Sequence, residues 1–385
     1  MPIDYSDIPS PCFVLEEELL RKNLELIDSV QKAAGCKIIL ALKGFSMYSA
    51  FPIVKEYLHG ATASSLNEIR LINDFMGYQA HTYIPAYLEN EFEEVLSRSS
   101  HITFNTLSQW ERFKDRVAIY RKSNPLQELS CGIRVNPQYS EVSTEMYNPC
   151  VPGSRLGVTR DKLPDLLPEG IEGIHFHTLC ENDSYTLERT LAAVEERFGD
   201  LLHQARWLNM GGGHLMTREG YDTSKLIDLV STIREKYNLE VILEPGSAIA
   251  WRTGELVTTV LDVMDSQGIE VAVLDTSFAA HMPDTLEMPY KPVIKGAYQE
   301  PVEGKYTCRM GGMTCLAGDF MGDYSFDKPL EVGDKIIFED MIHYTMVKTT
   351  TFNGVNLPSI GLWTKDQKFR LIRSFGYESF KDRLS

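Results

Sequence analysis

Lys37-Ile38-Ile39-Leu40-Ala41-Leu42-Lys43-Gly44 sets five apolar residues between two lysines and ends on a glycine. A short apolar run bounded in this way reads as a strand buried on both faces. Its end carries an ammonium group. Burying a lysine is costly unless its charge is paired or its proton is lost, and lysines depressed in this way form Schiff bases. A strand that simply emerges into solvent at Lys43 explains the same residues without any chemistry. Which reading holds depends on what the other strands carry at their ends.

Seven further strand-like runs follow: Ala61–Ser65, Ala80–Ala86, His101–Asn105, Leu129–Asn136, Gly170–Leu179, Arg206–Gly213 and Glu240–Ser247. Amphipathic segments lie between several of them. The clearest is Ser184–Phe198, where Leu187, Leu191, Val194 and Phe198 recur at helical spacing behind an Asn182-Asp183-Ser184 cap signal. Eight strands alternating with helices predict an α/β fold, a (β/α)8 TIM-like barrel, over residues 16–255. After Trp251 the pattern turns β-rich, in Leu256–Val263, Ile269–Leu274, Val293–Tyr298, Lys335–Phe338, Tyr344–Thr350 and Phe369–Ser374, with no strong helix between them. Residues 256–385 are therefore expected to form an all-β C-terminal domain, joined by the N-terminal segment 1–15 through Cys12-Phe13-Val14-Leu15. A helix is expected over Glu16–Ala33.

Composition narrows the class of protein. Hydrophobic residues make up 43% and charged residues 24% of the 385, as in ordinary globular proteins, and no apolar run reaches membrane-spanning length. A formal net charge of −16 argues against nucleic acid and anionic membranes as partners and is compatible with a cationic substrate. Seven cysteines without a C-x-x-C pair suit reduced thiols and no structural metal. The acidic N-terminus has neither the basic nor the apolar region of a signal peptide, so a cytoplasmic protein is expected.

Catalytic groups of a (β/α)8 barrel sit at the C-terminal ends of its strands. The first strand ends at Lys43, the sixth in His175-Phe176-His177, the seventh in Asn209-Met210-Gly211-Gly212-Gly213 and the eighth in Glu244-Pro245-Gly246. Three glycines in a row let backbone N–H groups approach an anion with no Cβ in the way, although a plain turn would look the same. The histidines can be ring-stacking or core residues, and no third ligand for a metal accompanies them. Taken together, a lysine, a phosphate nest, an aromatic partner and a carboxylate are the requirements of one cofactor, pyridoxal 5′-phosphate.

At these residues the sequence resembles the fold-type III, alanine racemase-like, pyridoxal-phosphate decarboxylases, and most closely the branch acting on carboxylated polyamines. "LALKGF", "YNPC", "SRLG", "GIHFHTLCE", "NMGGGH", "LDTSFAAHMPDT", "GGMTCLAGDFMG" and "HYTMVKTTTFNG" carry the likeness, which runs essentially end to end. The resemblance implies that Lys43 bonds the cofactor, His177 stacks on its ring and Glu244 pairs with its pyridine nitrogen. Gly211, Gly212, Gly213 and Tyr344 are implied to serve the phosphate, and Gly246 to bind the cofactor. Cys315 matches a cysteine that a partner subunit inserts as the catalytic acid, which implies a homodimer with shared active sites. Asp284 matches a substrate-binding position, with Glu181 and Asp319 as further candidates for a distal ammonium. Ser247 stands where the nearest pattern is often acidic, and this departure puts any contact there in question.

The implied reaction is decarboxylation of carboxynorspermidine or carboxyspermidine in polyamine biosynthesis. A carboxylate opposite the pyridine nitrogen keeps that nitrogen protonated, which favours loss of carbon dioxide. Two alternatives stand beside it. Diaminopimelate decarboxylase needs a cation for a distal carboxylate, and the acidic His281-Met282-Pro283-Asp284 segment points the other way. A non-catalytic decarboxylase-like binding protein would have no need to retain Lys43, Glu244 and Cys315 together.

Overall fold

The lysine-ended strand forms in two pieces, Lys37–Ile38 and Leu40–Ala41, and the break at Ile39 closes a barrel. Lys37–Ile38 pairs in parallel with Glu240–Leu243, and Leu40–Ala41 with Ala61–Ala63. Around the ring follow Ala80–Tyr83, Ser99–Phe104, Ser130–Arg134, Gly173–His175 and Trp207–Asn209. Nine hydrogen-bonded segments thus fill the eight positions of a parallel barrel, the fold expected from the alternation of strands and helices. The computed structural model describes residues 3–385. They divide into two units, Asn23–Ile249, which holds the barrel, and the residues up to Lys22 together with Ala250–Ser385.

Helices start where polar side chains can satisfy free backbone amides. Asp183 accepts from the Thr186 N–H at 2.8 Å to begin Ser184–Leu202, and Leu187, Leu191, Val194 and Phe198 are its buried stripe. Thr106 does the same for Leu107–Ser123, while Gln109 reaches back to the Asn105 N–H at 2.8 Å. The strands are shorter than their apolar runs. The first stops at Ala41, and Lys43 lies in a turn closed by the Gly44 N–H to the Ala41 carbonyl at 3.0 Å. No α-helix follows Ser130–Arg134; residues 135–172 form a loop with short 3-10 turns at Glu145–Tyr147 and Arg160–Lys162.

Side chains inside the barrel stack in layers two residues apart along each strand. Gly132 and Gly173 leave room low in the barrel for the indole of Trp207: a Cβ on Gly173 would lie 1.9 Å from that ring, and one on Gly132 2.3 Å. One layer higher, Arg134, His175 and Asn209 occupy paired positions on neighbouring strands. Higher again come His177, Gly211 and Glu244, past the strand ends.

The second unit is built on an eight-stranded sheet. Its long strand Gly254–Ser266 pairs with Ile269–Leu274, with Lys335–Glu339 and with Cys12–Glu16. Cys12–Glu16 lies between that strand, antiparallel, and Ser359–Trp363, parallel, as its four buried apolar residues lead one to expect. Phe369–Arg373, Tyr306–Gly311 and Phe320–Phe326 complete the sheet. Two expectations fail here. Tyr344–Thr350 holds the helical turn Thr345–Lys348 and no strand, and Val293–Tyr298 contributes isolated bridges at Ile294 and Tyr298. As expected, no long helix lies between the strands after Trp251 among the described residues; Phe278–His281 and Asp284–Glu287 are single turns, and Tyr377–Lys381 follows the last strand.

Candidate active site

Glu244 organises the C-terminal mouth of the barrel. Its backbone N–H donates to the Gly211 carbonyl at 2.8 Å, which ties the eighth strand end to the glycine turn. Its side chain is 12% exposed. Asn209 donates from Nδ2 to Glu244 Oε1 at 2.6 Å, and Thr62 also hydrogen-bonds the carboxylate. Oε2 has His175 Nε2 at 3.8 Å, beyond hydrogen-bond reach. Burial pushes the Glu244 carboxyl up to about 6, opposed by Asn209, Thr62 and the charge of Arg134.

His177 stands beside the turn as a neutral ring. Burial holds its pKa well below the usual histidine range, and the charges of Lys43 and Arg134 push the same way. The Gly212 N–H donates to Nδ1 at 3.1 Å, which leaves the proton of the neutral imidazole to Nε2. Lys43 is near enough for its charge to act on His177 and on Cys180, whose thiol burial raises.

The three glycines are required by packing as well as by any anion. Gly211 and Gly213 have φ of 68° and 87°, and a Cβ on Gly213 would lie 2.2 Å from the Leu179 carbonyl oxygen. Their amides are not equivalent. Gly211 donates to Asn209 Oδ1 at 2.8 Å and Gly212 to His177, whereas the Gly213 amide meets no acceptor among the described residues. Gly246 packs against the lysine turn so closely that a Cβ on Gly44 would lie 2.8 Å from the Gly246 Cα. Ser247 follows, buried, as the first residue of the short helix Ser247–Ala250. Glu181, with φ of 52°, is exposed on the loop beyond His177, its carbonyl accepting from Arg218 at 3.2 Å.

Lys43, His177, Gly211, Gly212, Gly213, Glu244, Gly246, Ser247 and Glu181 all belong to the barrel unit. The sheet unit gathers the other four candidates into two places. Asp284 is 9% exposed; its Oδ2 accepts from Tyr290 at 2.7 Å and from Thr345, the neighbour of Tyr344, at 2.8 Å. Its Oδ1 has no partner. Asp319 is buried and engaged, accepting from the Thr314 hydroxyl of its own loop at 2.6 Å and from the Ala279 N–H of the short helix Phe278–His281 at 3.0 Å. That loop presents Cys315 exposed, with its N–H on Asn353 Oδ1 at 2.8 Å. The Asp319 carboxylate therefore shapes the Cys315 loop.

Arg134, Asn209 and Tyr83 were not singled out from the sequence. Arg134 is 4% exposed and lies over the Tyr83 ring at 4.7 Å. The signal was present in Cys131-Gly132-Ile133-Arg134, another apolar run ending on a charge, but it lay inside a longer predicted strand. Among the described residues no cluster of three His, Cys, Asp or Glu could hold a metal, and no helix is long and apolar enough to cross a membrane.

Residues 45–342 match the family model described as pyridoxal-dependent decarboxylase, C-terminal sheet domain. The chain is 50% identical to carboxyaminopropylagmatine decarboxylase of Synechocystis over 98% of its own length and 96% of that protein. It is 43% identical to the carboxynorspermidine/carboxyspermidine decarboxylase of Campylobacter jejuni, covering 98% of this chain and 99% of the other. A crystal structure of Campylobacter jejuni carboxynorspermidine decarboxylase in complex with norspermidine superposes with a TM-score of 0.89 at 42% identity, over 98% of this chain and all of that one (100%).

Proposed function

The chain belongs to the pyridoxal-dependent decarboxylases, and from that premise we propose that it removes the α-carboxylate of a carboxylated polyamine, carboxynorspermidine or carboxyspermidine. The observation that carries the reading is Glu244, a carboxylate held at the barrel mouth by Asn209 and Thr62 beside a neutral His177. Such a pair fits the pyridine nitrogen and the flat face of pyridoxal 5′-phosphate. Bound there, the cofactor supplies an electron-poor ring that takes up the electron pair freed when carbon dioxide leaves.

The chain's own groups do the rest. Lys43 would hold the cofactor through its side-chain amine. The Gly213 amide, with the backbone at Gly246, would hold the phosphate, and Tyr344 is a further candidate for it. The Cys315 thiol, exposed on its own chain, returns a proton to the reacting carbon of a partner subunit, so the working unit is a homodimer. Asp284 is the candidate for the ammonium distal to the reacting carbon, with Glu181 and Ser247 as further candidates for contact with the substrate. With seven unpaired thiols, the protein works in a reducing compartment, the cytoplasm.

A second reading is favoured by the Synechocystis relative, whose name gives it a substrate built on agmatine. Its tail would be a guanidinium, which prefers to engage both oxygens of a carboxylate. Asp284 has one buried oxygen without a partner, its other oxygen being taken by Tyr290 and Thr345, an arrangement that suits a compact ammonium better than a guanidinium. Carbon dioxide release from carboxynorspermidine, carboxyspermidine, carboxyaminopropylagmatine and meso-diaminopimelate decides the matter. The expected kcat/KM for a carboxylated polyamine exceeds that for diaminopimelate by roughly a hundredfold or more. The reverse order would refute the proposal.

A further inference from the structure

Arg134 is a buried cation with an unusual set of neighbours. It is 4% exposed and forms no ion pair with a carboxylate among the described residues. Its Nη2 donates to the His177 carbonyl at 3.0 Å, and the rest of the guanidinium covers the Tyr83 ring. Tyr83 is fixed in turn by its hydroxyl, which donates to Asn105 Oδ1 at 2.8 Å. A charge taken out of water without a counter-charge is expensive, and a structural role alone would be served by a neutral donor.

Its place in the barrel accounts for the charge. Arg134 pairs in register with His175, and His175 with Asn209, the residue that holds Glu244. His175 is 2% exposed, with neither ring nitrogen hydrogen-bonded, and stands between the guanidinium and Glu244. We propose that Arg134 is a positioning residue that fixes the His177 backbone and supplies, from the layer below, the positive field that keeps Glu244 a carboxylate.

The groups against Glu244 are Thr62, His175 and Asn209, with Arg134 beyond His175, one from each of four strands. Thr62 and Asn209 donate neutral hydrogen bonds. Burial keeps His175 uncharged, with its pKa well below the usual range, and the nearby guanidinium reinforces this. The Lys43 charge acts on His177. Arg134 is thus the fixed positive charge of the set, and its field opposes the upward push of burial on Glu244.

The test uses R134Q, R134K and E244Q. In cofactor-free protein, infrared difference spectra follow the protonated-carboxyl band that E244Q lacks. R134Q should raise the pH at which this band disappears by about one unit, and R134K should leave it in place. In the loaded enzyme the acid limb of kcat/KM should move the same way in R134Q and stay put in R134K. The first readout holds whatever the substrate is; the second rests on Glu244 serving the cofactor, so the two can fail separately. An unmoved band in R134Q, or a shift in R134K as large as in R134Q, overturns the inference. If R134Q does not fold, R134K decides: an unmoved band supports the role of charge, and a band raised by a unit refutes it.

Discussion

Replacing Asp284 with Asn alters one oxygen of a buried carboxylate and little else. Oδ2 is occupied by the hydroxyls of Tyr290 and Thr345, and Oδ1 is buried without a partner. An asparagine keeps both hydroxyl bonds on its carbonyl oxygen and places its NH2 where Oδ1 was. An acceptor for a substrate cation becomes a donor facing it. A hydrogen bond to a charged group contributes about 1.5–3 kcal/mol, so kcat/KM for a full-length carboxylated polyamine should fall roughly ten- to a hundredfold. Folding should respond in the other direction, because a neutral amide is cheaper to bury than a carboxylate with one unpaired oxygen. The assay is kcat/KM for long and truncated diamino acid substrates, with the Tm and cofactor content of the same samples. Activity should fall on the long substrate, while Tm holds or rises and cofactor content stays constant. Equal slowing of both substrates, or a Tm that falls with the activity, would make Asp284 a structural loop residue.

Lys43→Ala should fold and lose turnover, and borohydride treatment of the parent protein should fix the cofactor on Lys43; a label mapped to another lysine rejects its role. Mixed dimers of Lys43→Ala and Cys315→Ala chains should recover activity, since one intact site can form from the two inactive chains, and verified mixed dimers with none would assign Cys315 to its own chain's site. Glu244 titrates near 6 when folded against an unfolded value of 4.5, so the folded state binds its proton more tightly. Its contribution to stability is complete below 4.5 and is lost as the pH rises through 6, about 2 kcal/mol in all. Relative to Glu244→Gln, which mimics the protonated form throughout, cofactor-free parent protein should therefore lose that amount between pH 4 and pH 7 in urea titrations, and parallel curves would reject it.

The barrel was legible because buried parallel strands read as short apolar runs, and the residues that follow them were the ones to inspect. Lys43, His177 and Glu244 follow such runs at the C-terminal ends of strands. Arg134 and Asn209 were harder to see, since they close their strands from within and act through neighbours in the next layer, a relation that depends on register between strands and not on position along the chain. The sheet unit was read less well. Thr349, Thr350 and Thr351 favour a strand by composition, yet in the fold the Thr345 hydroxyl serves Asp284 and that of Thr349 bonds the Met346 carbonyl at 2.9 Å. Hydroxyls used in this way stabilise a helical turn, because β-propensity measures fit to a pleated surface and this segment has none. Tyr306–Gly311 and Phe320–Phe326 escaped notice because glycine, cysteine and charge break their alternation.

The position of Cys12–Glu16 bears on how the chain leaves the ribosome. Cys12 pairs with Val257 on one side and Ser359 on the other, so this strand is synthesised long before it can be completed. All of Asn23–Ile249 emerges before either partner exists, and the barrel can form while Phe13, Val14 and Leu15 still lack the neighbours that bury them. Such a segment is an open sheet edge made of apolar residues, the kind that joins with copies of itself. Nascent chains stalled before Ser359 should therefore aggregate through Cys12–Glu16, and loss of Ser359–Trp363 would be felt at that distant strand.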